Sequence, residues 1–414
     1  MITSNYLFRF ISLIVAFSVV SYSYFLYVLI QPENSATKEA TAGEGEITRI
    51  KHHDAAMPSP DSIDHPSQKQ QLSSCPLTVQ RNKGLFEGSD EFSNVILLVS
   101  CNYAYYDMLQ NWEFLASQIN LKWAVLALDK QLYKTLGPER AIFGGRNISG
   151  PQMYRQRQFF ELSCHKLLMV LETLQNCTSS GDIDGVVFSD VDNIFYQNPF
   201  IHDLGKLILS GNYDYVYQSN QFPRDSGGTR NKPRRDVCLE GLPREEGNTG
   251  FYYVNGKSSV IKTIFENTIN RCQDMTDKGK GRRQSDDQQL FWQELWKVKN
   301  HGIVTKSEDA SATSNVTFHH CNLEDYSNAM TTTSITKRSS EYDFFTFCCM
   351  DPYYYPVGME RKPANSNPIS FHANHCYGKE EKIKKLLTSR PDHYGWNESR
   401  IILTNQTGRT STKK

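Results

Sequence analysis

The chain of 414 residues carries no excess charge of either sign, because 45 lysines and arginines balance 45 aspartates and glutamates. That balance gives no support to a nucleic-acid partner, which would draw on a basic surface. None of the ten cysteines stands in the paired CxxC spacing of a zinc site. Disulfides are the better use for them, with connectivity left open. No internal repeat is present, which removes solenoid architectures. Long apolar runs are scarce, but one is long enough to matter. Residues 10–30 contain no charged side chain, and at about 1.5 Å per residue such a helix spans a hydrocarbon core of about 30 Å. A cleaved signal peptide is the competing reading, but its apolar region is shorter, about 7–15 residues, and ends in small residues. Tyr27-Val-Leu-Ile30 is a poor cleavage signal. Arg9 precedes the run and Glu33, Glu39, Glu44 and Glu46 follow it, so residues 1–9 are expected in the cytoplasm and the rest in a lumen. Sequons at Asn147, Asn176, Asn315, Asn397 and Asn405, together with the cysteines, suit an oxidising, glycosylating compartment.

Residues 31–92 are rich in Ser, Pro, Glu, Lys, Gln and His without an apolar period, and read as a disordered stem. Beyond them, short continuous apolar runs at 95–100, 123–128, 185–189, 213–219 and 249–254 have the length of buried strands. Helical spacing appears at 104–119, 152–174, 258–271, 287–296 and 379–388. Alternation of this kind predicts an α/β domain with a Rossmann-like sheet over residues 93–390, followed by a tail at 391–414. The basic, Gly- and Pro-rich stretch 221–246 reads either as a lid on the acceptor side or as an idle insertion.

The chemistry concentrates in "GVVFSDVDNIFYQNPF", residues 185–200. A buried strand ends in two carboxylates, Asp190 and Asp192, at the edge where open α/β sheets bind ligands. If the strand continues, both face one side and converge on a hard cation; if it bends, one turns toward a ribose. Like charges this close call for a counter-ion, and Mg²⁺ or Mn²⁺ bridging a diphosphate would serve.

With "CNYAYYDMLQNWEF" (101–114), "FSDVDNIFYQNPF" (188–200), "NTGFYYV" (248–254), "SDDQQLFWQEL" (285–295) and "FHANHCYGKEEKIKKLL" (371–387) in this order, the chain resembles the nucleotide-diphospho-sugar transferases of glycosyltransferase family 77. The resemblance implies a GT-A fold, an anchored Golgi membrane protein of type II, and transfer of a sugar from a UDP-sugar to a glycan or glycoprotein acceptor with retained anomeric configuration. It also implies Mn²⁺ (or Mg²⁺) held by Asp190, Asp192 and His372. Lys379 and Lys166 would contact the donor diphosphate, Asn102 and Tyr103 the base, and Asn248, Asp287 and Gln288 the anomeric carbon and acceptor. Plainer readings stand beside these. His372 could be packed, Lys166 could be solvated, Asp286 and Asp287 could cap a helix, and Tyr353, Tyr354 and Tyr355 could be packing or a sugar platform. Residues 317–323 and 342–358 depart from the family pattern. The alternatives are a catalytically inactive, lectin-like scaffold and a haloacid-dehalogenase-like phosphatase, which also ends a strand in Asp-x-Asp.

Overall fold

The computed structural model describes residues 74–151, 156–220, 247–277, 286–304, 313–314, 316–331, 344–358, 367–374, 376–389 and 395–401. The expected membrane span, residues 1–73 generally, the stretch 221–246 and the sequons Asn315 and Asn405 lie outside them. Among the described residues no helix is long and apolar enough to cross a membrane.

The apolar runs pair as strands. β1 (Val95–Cys101) is buried along its whole length, and β2 (Ala124–Ala127), β3 (Ala141–Phe143) and β4 (Gly185–Asp190) lie parallel to it in the order β3-β2-β1-β4. β5 (Asn193–Phe195) follows at once, and β6 (Tyr215–Ser219) and β7 (Gly247–Asn255) continue the sheet beyond β4, β7 running antiparallel to both β4 and β6. A two-stranded pair, β8 (Ile303–Val304) and β9 (Thr313–Ser314), stands apart. The stretches that depart from the family pattern supply β10 (Thr317–His320) and β11 (Phe344–Cys349), which complete the eight-stranded sheet beside β6. Their weak alternation hid them, and a Cys321–Cys348 disulfide ties them together. β12 (Ser370–His372) pairs antiparallel with β5, which sets His372 opposite Asn193.

Helices α1 (Leu77–Asn82), α2 (Tyr106–Gln118), α3 (Lys130–Leu136) and α4 (Arg157–Ser179) come first. They are followed by α5 (Asp203–Leu209), α6 (Ser259–Asp277), α7 (Asp287–His301), α8 (Leu323–Thr331) and α9 (Lys379–Thr388). α4, α6 and α7 pack on one another, with α4 against β4 and α7 against β7. A Cys164–Cys272 disulfide staples α4 to α6. α2 packs on β5, where Trp112 donates its indole N–H to the Asn193 carbonyl at 2.8 Å.

Two expected boundaries move. The stem was expected to run to Phe92, yet Cys75, Val79, Leu85 and Phe92 are buried and Cys75 is bonded to Cys177 at the end of α4. A polar stretch is held here by a few apolar anchors and a cross-link 102 residues long, and closure of so long a loop contributes about 4–5 kcal/mol. The tail likewise returns: Trp396 is buried, and the Gly395 carbonyl accepts from Asn111 Nδ2 at 3.0 Å.

Candidate active site

The carboxyl ends of β1 and β4 and the start of β7 open on one cleft of about 170 Å³. Asp190 is the last residue of β4, and Asp192 stands between β4 and β5. The β12–β5 pairing delivers His372 from 180 residues further along, so that its Nε2 lies 3.3 Å from Asp192 Oδ1. Lys166, on α4, is buried and places its Nζ 3.1 Å from Asp190 Oδ2 and 3.3 Å from Asp287 Oδ2. Ser100 Oγ donates to Asp190 Oδ1 at 3.3 Å, and Thr249 Oγ1 to Asp287 Oδ2 at 2.9 Å. Lys382, on α9, donates to Asp192 Oδ2.

Three carboxylates therefore face two ammonium groups. Burial by itself would raise the Asp192 carboxyl, but the Lys382 ammonium, joined by the His372 ring whenever that ring is protonated, outweighs it and holds the group well below the usual carboxylate range. Burial works against the charge of Lys166 as well, and Asp190 and Asp287 overcome it, so this amine is held above its ordinary value. Asp287 shares that lysine with Asp190, so burial prevails and its carboxyl is pushed up, with Asp286 adding to the shift. Among the described residues, Cys101 and Cys376 are the free cysteines and both line the cleft. Burial raises both thiols, which makes them poor nucleophiles.

Ligand atoms of Asp190, Asp192 and His372 lie within 4.8 Å of one another. Two carboxylates and an imidazole suit Mn²⁺ or Mg²⁺. Gly250 keeps the space open: a Cβ there would collide with His372 Cε1 and sit 2.7 Å from Asp190 Oδ2. These residues fit a divalent cation.

Of the residues expected from the sequence, Asn102, Lys166, Asp190, Asp192, Asn248, Asp287, Gln288 and His372 all line the cleft. The capping reading of the acidic pair divides between its members. Asp286 caps α7 by accepting from the Gln289 amide at 2.8 Å, whereas Asp287 is buried in the site. Asn248 is turned back on its own strand, its Oδ1 accepting from the Gly250 amide at 2.6 Å. Asn102 donates to the Gly150 carbonyl at 2.9 Å.

Two expected residues do not join the cleft wall. Tyr103 stacks on Tyr106 at 5.7 Å, and Tyr105 lines the cleft instead. Lys379, expected on the donor diphosphate, turns to Asp107 Oδ1 at 2.7 Å and the Ala104 carbonyl at 3.0 Å. α9 starts at Lys379, and Lys382 stands one turn further along the same helix face, which brings it to Asp192. Ser100, Gln218, Thr249 and Gly250 were also passed over. Ser100 abuts the segment 101–114, Thr249 and Gly250 lie inside 248–254, and Gln218 lies in the apolar run 213–219, but no local pattern singles out these four residues. Tyr355 is core, its hydroxyl donating to Asp203 Oδ1 at 2.5 Å, so packing is the outcome for that aromatic.

The profile of the nucleotide-diphospho-sugar transferases matches residues 121–386, more than half of the chain. The chain belongs to the nucleotide-diphospho-sugar transferase family. This transferase is therefore a glycosyltransferase that draws on a nucleotide-sugar donor, and the phosphatase alternative falls. No curated protein sequence matches it significantly. Among solved structures it is similar to the glycosyltransferase GlyE of Streptococcus pneumoniae TIGR4, at 10% identity and a TM-score of 0.35, over 77% of this chain and 64% of GlyE. It is also similar to an active-site variant of LgtC, at 13% identity and a TM-score of 0.35, over 77% of this chain and 97% of that one. The order and direction of the strands, with the site at the ends of β1 and β4, are those of a Rossmann-like mixed sheet.

Proposed function

We infer that this transferase moves a sugar from a UDP-sugar to a glycan or glycoprotein acceptor, with a divalent cation, Mn²⁺ or Mg²⁺, held by Asp190, Asp192 and His372. The observation that carries the reading is the convergence in the cleft of Asp190 and Asp192, from the end of β4, with His372, from β12. When bound, the cation would act as a Lewis acid on the donor diphosphate and offset the charge of the leaving group. The chain's own residues do the rest. Lys382 exchanges Asp192 for a diphosphate oxygen, a charge-assisted hydrogen bond that strengthens as the leaving group gains charge. Lys166 holds Asp190 and Asp287 at a fixed separation, and Thr249 donates to the same Asp287 oxygen, Oδ2, that Lys166 approaches. Asp287 then offers acceptor oxygens to donor-sugar hydroxyls beside Gln288.

Retention of configuration rests on the resemblance to family 77, and either a nucleophile beneath the sugar or front-face attack would meet it. A type II Golgi membrane location, with the domain in the lumen, is supported by the uncharged run 10–30, by the charge asymmetry around it and by the disulfides Cys75–Cys177, Cys164–Cys272 and Cys321–Cys348.

The test is a panel of UDP-sugars with Mn²⁺, read as UDP release by the full-length chain. One donor should stand out, and Asp190→Ala and Asp192→Ala should each lose the activity while retaining the wild-type fold. Full activity in both variants would remove the mechanism; binding of Mn²⁺ and UDP with no turnover on any donor and acceptor would favour an inactive scaffold.

A further inference from the structure

We propose that Gln218 is a positioning residue that fixes the tautomer of His372, and so decides which ring nitrogen is offered to the cation; this rests on the metal reading above. Gln218 lies on β6 and is fully buried. Its Nε2 donates to the Tyr355 carbonyl at 3.1 Å and to the Pro356 carbonyl at 3.3 Å. Carbonyl oxygens only accept, so the amide nitrogen has to face them. Flipping the amide would set Oε1 against two other acceptors in a site without water access, at the cost of unmade buried hydrogen bonds.

The amide oxygen is thereby turned to His372 Nδ1, 3.3 Å away. An amide oxygen donates nothing, so Nδ1 carries the proton of the neutral ring. Nε2 is left with its lone pair, and it faces Asp192 Oδ1 at 3.3 Å. Two acceptors held this close, inside a cluster that already contains Asp190, are the arrangement a cation satisfies. Pro356 reinforces the geometry, because its carbonyl also accepts from the His372 amide at 3.2 Å. One loop therefore sets both the ring and the side chain that reads it. Without Gln218 the ring proton is free to occupy Nε2 and bond to Asp192, which withdraws the ring as a ligand.

Two variants separate this role from structural support. Gln218→Met removes the acceptor and both donors. Gln218→Glu keeps an acceptor for Nδ1–H but loses the two donors to the loop. Mn²⁺ titration of the full-length chain without nucleotide, followed by electron paramagnetic resonance, should show a loss of about 10- to 100-fold for Gln218→Met. Gln218→Glu should stay within a few-fold of wild type although it melts at a lower temperature. A structural role would order the two by stability, and metal affinity falling at least as far in Gln218→Glu overturns the proposal. A second readout needs no metal. Nitrogen-15 spectra of histidine-labelled protein, assigned with His372→Gln, should place the neutral ring's proton on Nδ1 in wild type and on Nε2 in Gln218→Met. A wild-type proton on Nε2 overturns the proposal. If wild type binds no Mn²⁺, the metal reading itself fails, and the ring tautomer alone then decides for or against Gln218.

Discussion

Replacing Lys382 with methionine should change two affinities in opposite directions. In the donor-free enzyme the Lys382 ammonium occupies Asp192 Oδ2, so a cation arriving without nucleotide must displace it. At an effective dielectric constant of about 20, an ammonium and a carboxylate about 4 Å apart attract by about 4 kcal/mol. The Lys382 side chain is 22% exposed, so water in the open cleft screens part of that attraction, leaving about 2 kcal/mol for the cation to overcome. Lys382→Met should therefore tighten Mn²⁺ binding without nucleotide by about 30-fold. UDP binding at saturating Mn²⁺ should weaken by about 10- to 100-fold, because a charge-assisted hydrogen bond to phosphate is lost. Methionine keeps the aliphatic length and changes little else. The variant also leaves Asp192, 2% exposed, without its cation, a loss of about 3–5 kcal/mol for a buried pair. Its melting temperature should fall in EDTA and recover with Mn²⁺. Isothermal titration of the two ligands separately reads both affinities. Lys379→Met is the control, since Lys379 bonds to Asp107 and the Ala104 carbonyl and should change neither. If Lys382→Met weakens Mn²⁺ binding, or leaves both affinities unchanged, the charge argument is wrong.

Gly250→Ala should abolish Mn²⁺ binding and transfer while costing little stability elsewhere, because the added methyl collides with the His372 ring; a variant with wild-type metal affinity would show that the ring can move aside. His165, on α4, is buried with neither ring nitrogen hydrogen-bonded among the described residues, and burial, assisted by Arg146, lowers it from 6.5 to about 4. The unfolded chain takes up this proton near pH 6.5 and the folded one only near pH 4. The contribution is thus complete above the higher value and is withdrawn as pH falls to the lower one. At 1.36 kcal/mol per unit it amounts to about 3 kcal/mol. Denaturant melts at pH 7 and pH 4 should show His165→Leu losing about that much less stability on acidification than wild type, and equal losses would count against the buried neutral ring.

Lys379 and Lys382 show where reading the sequence stopped short. Both sit in one recognised segment, and only the point at which α9 begins decides which ammonium faces the carboxylates. Asp286 and Asp287 divide in the same way. A helix start was legible, but the rotation that buries one acid and leaves the other as a cap depends on how α7 meets β7 and Lys166. The edge strands β10 and β11 were missed because their partners lie far away in sequence and the local pattern is neither cleanly alternating nor long.

Local physics sufficed for much of this transferase. Short apolar runs make β1, β2 and β4 into buried strands, helical spacing makes α2, α4 and α9 into helices, and a strand ending in Asp190 with Asp192 just beyond it marks the chemistry, because each depends on neighbours within one or two turns. The pairing of β12 with β5 that seats His372, the arrival of Lys382, the glycine-sized gap at Gly250 and the Gln218 bond to the imidazole were decided only by the tertiary structure. Each is a contact between segments far apart in sequence, and its distance is set by packing that no single segment encodes.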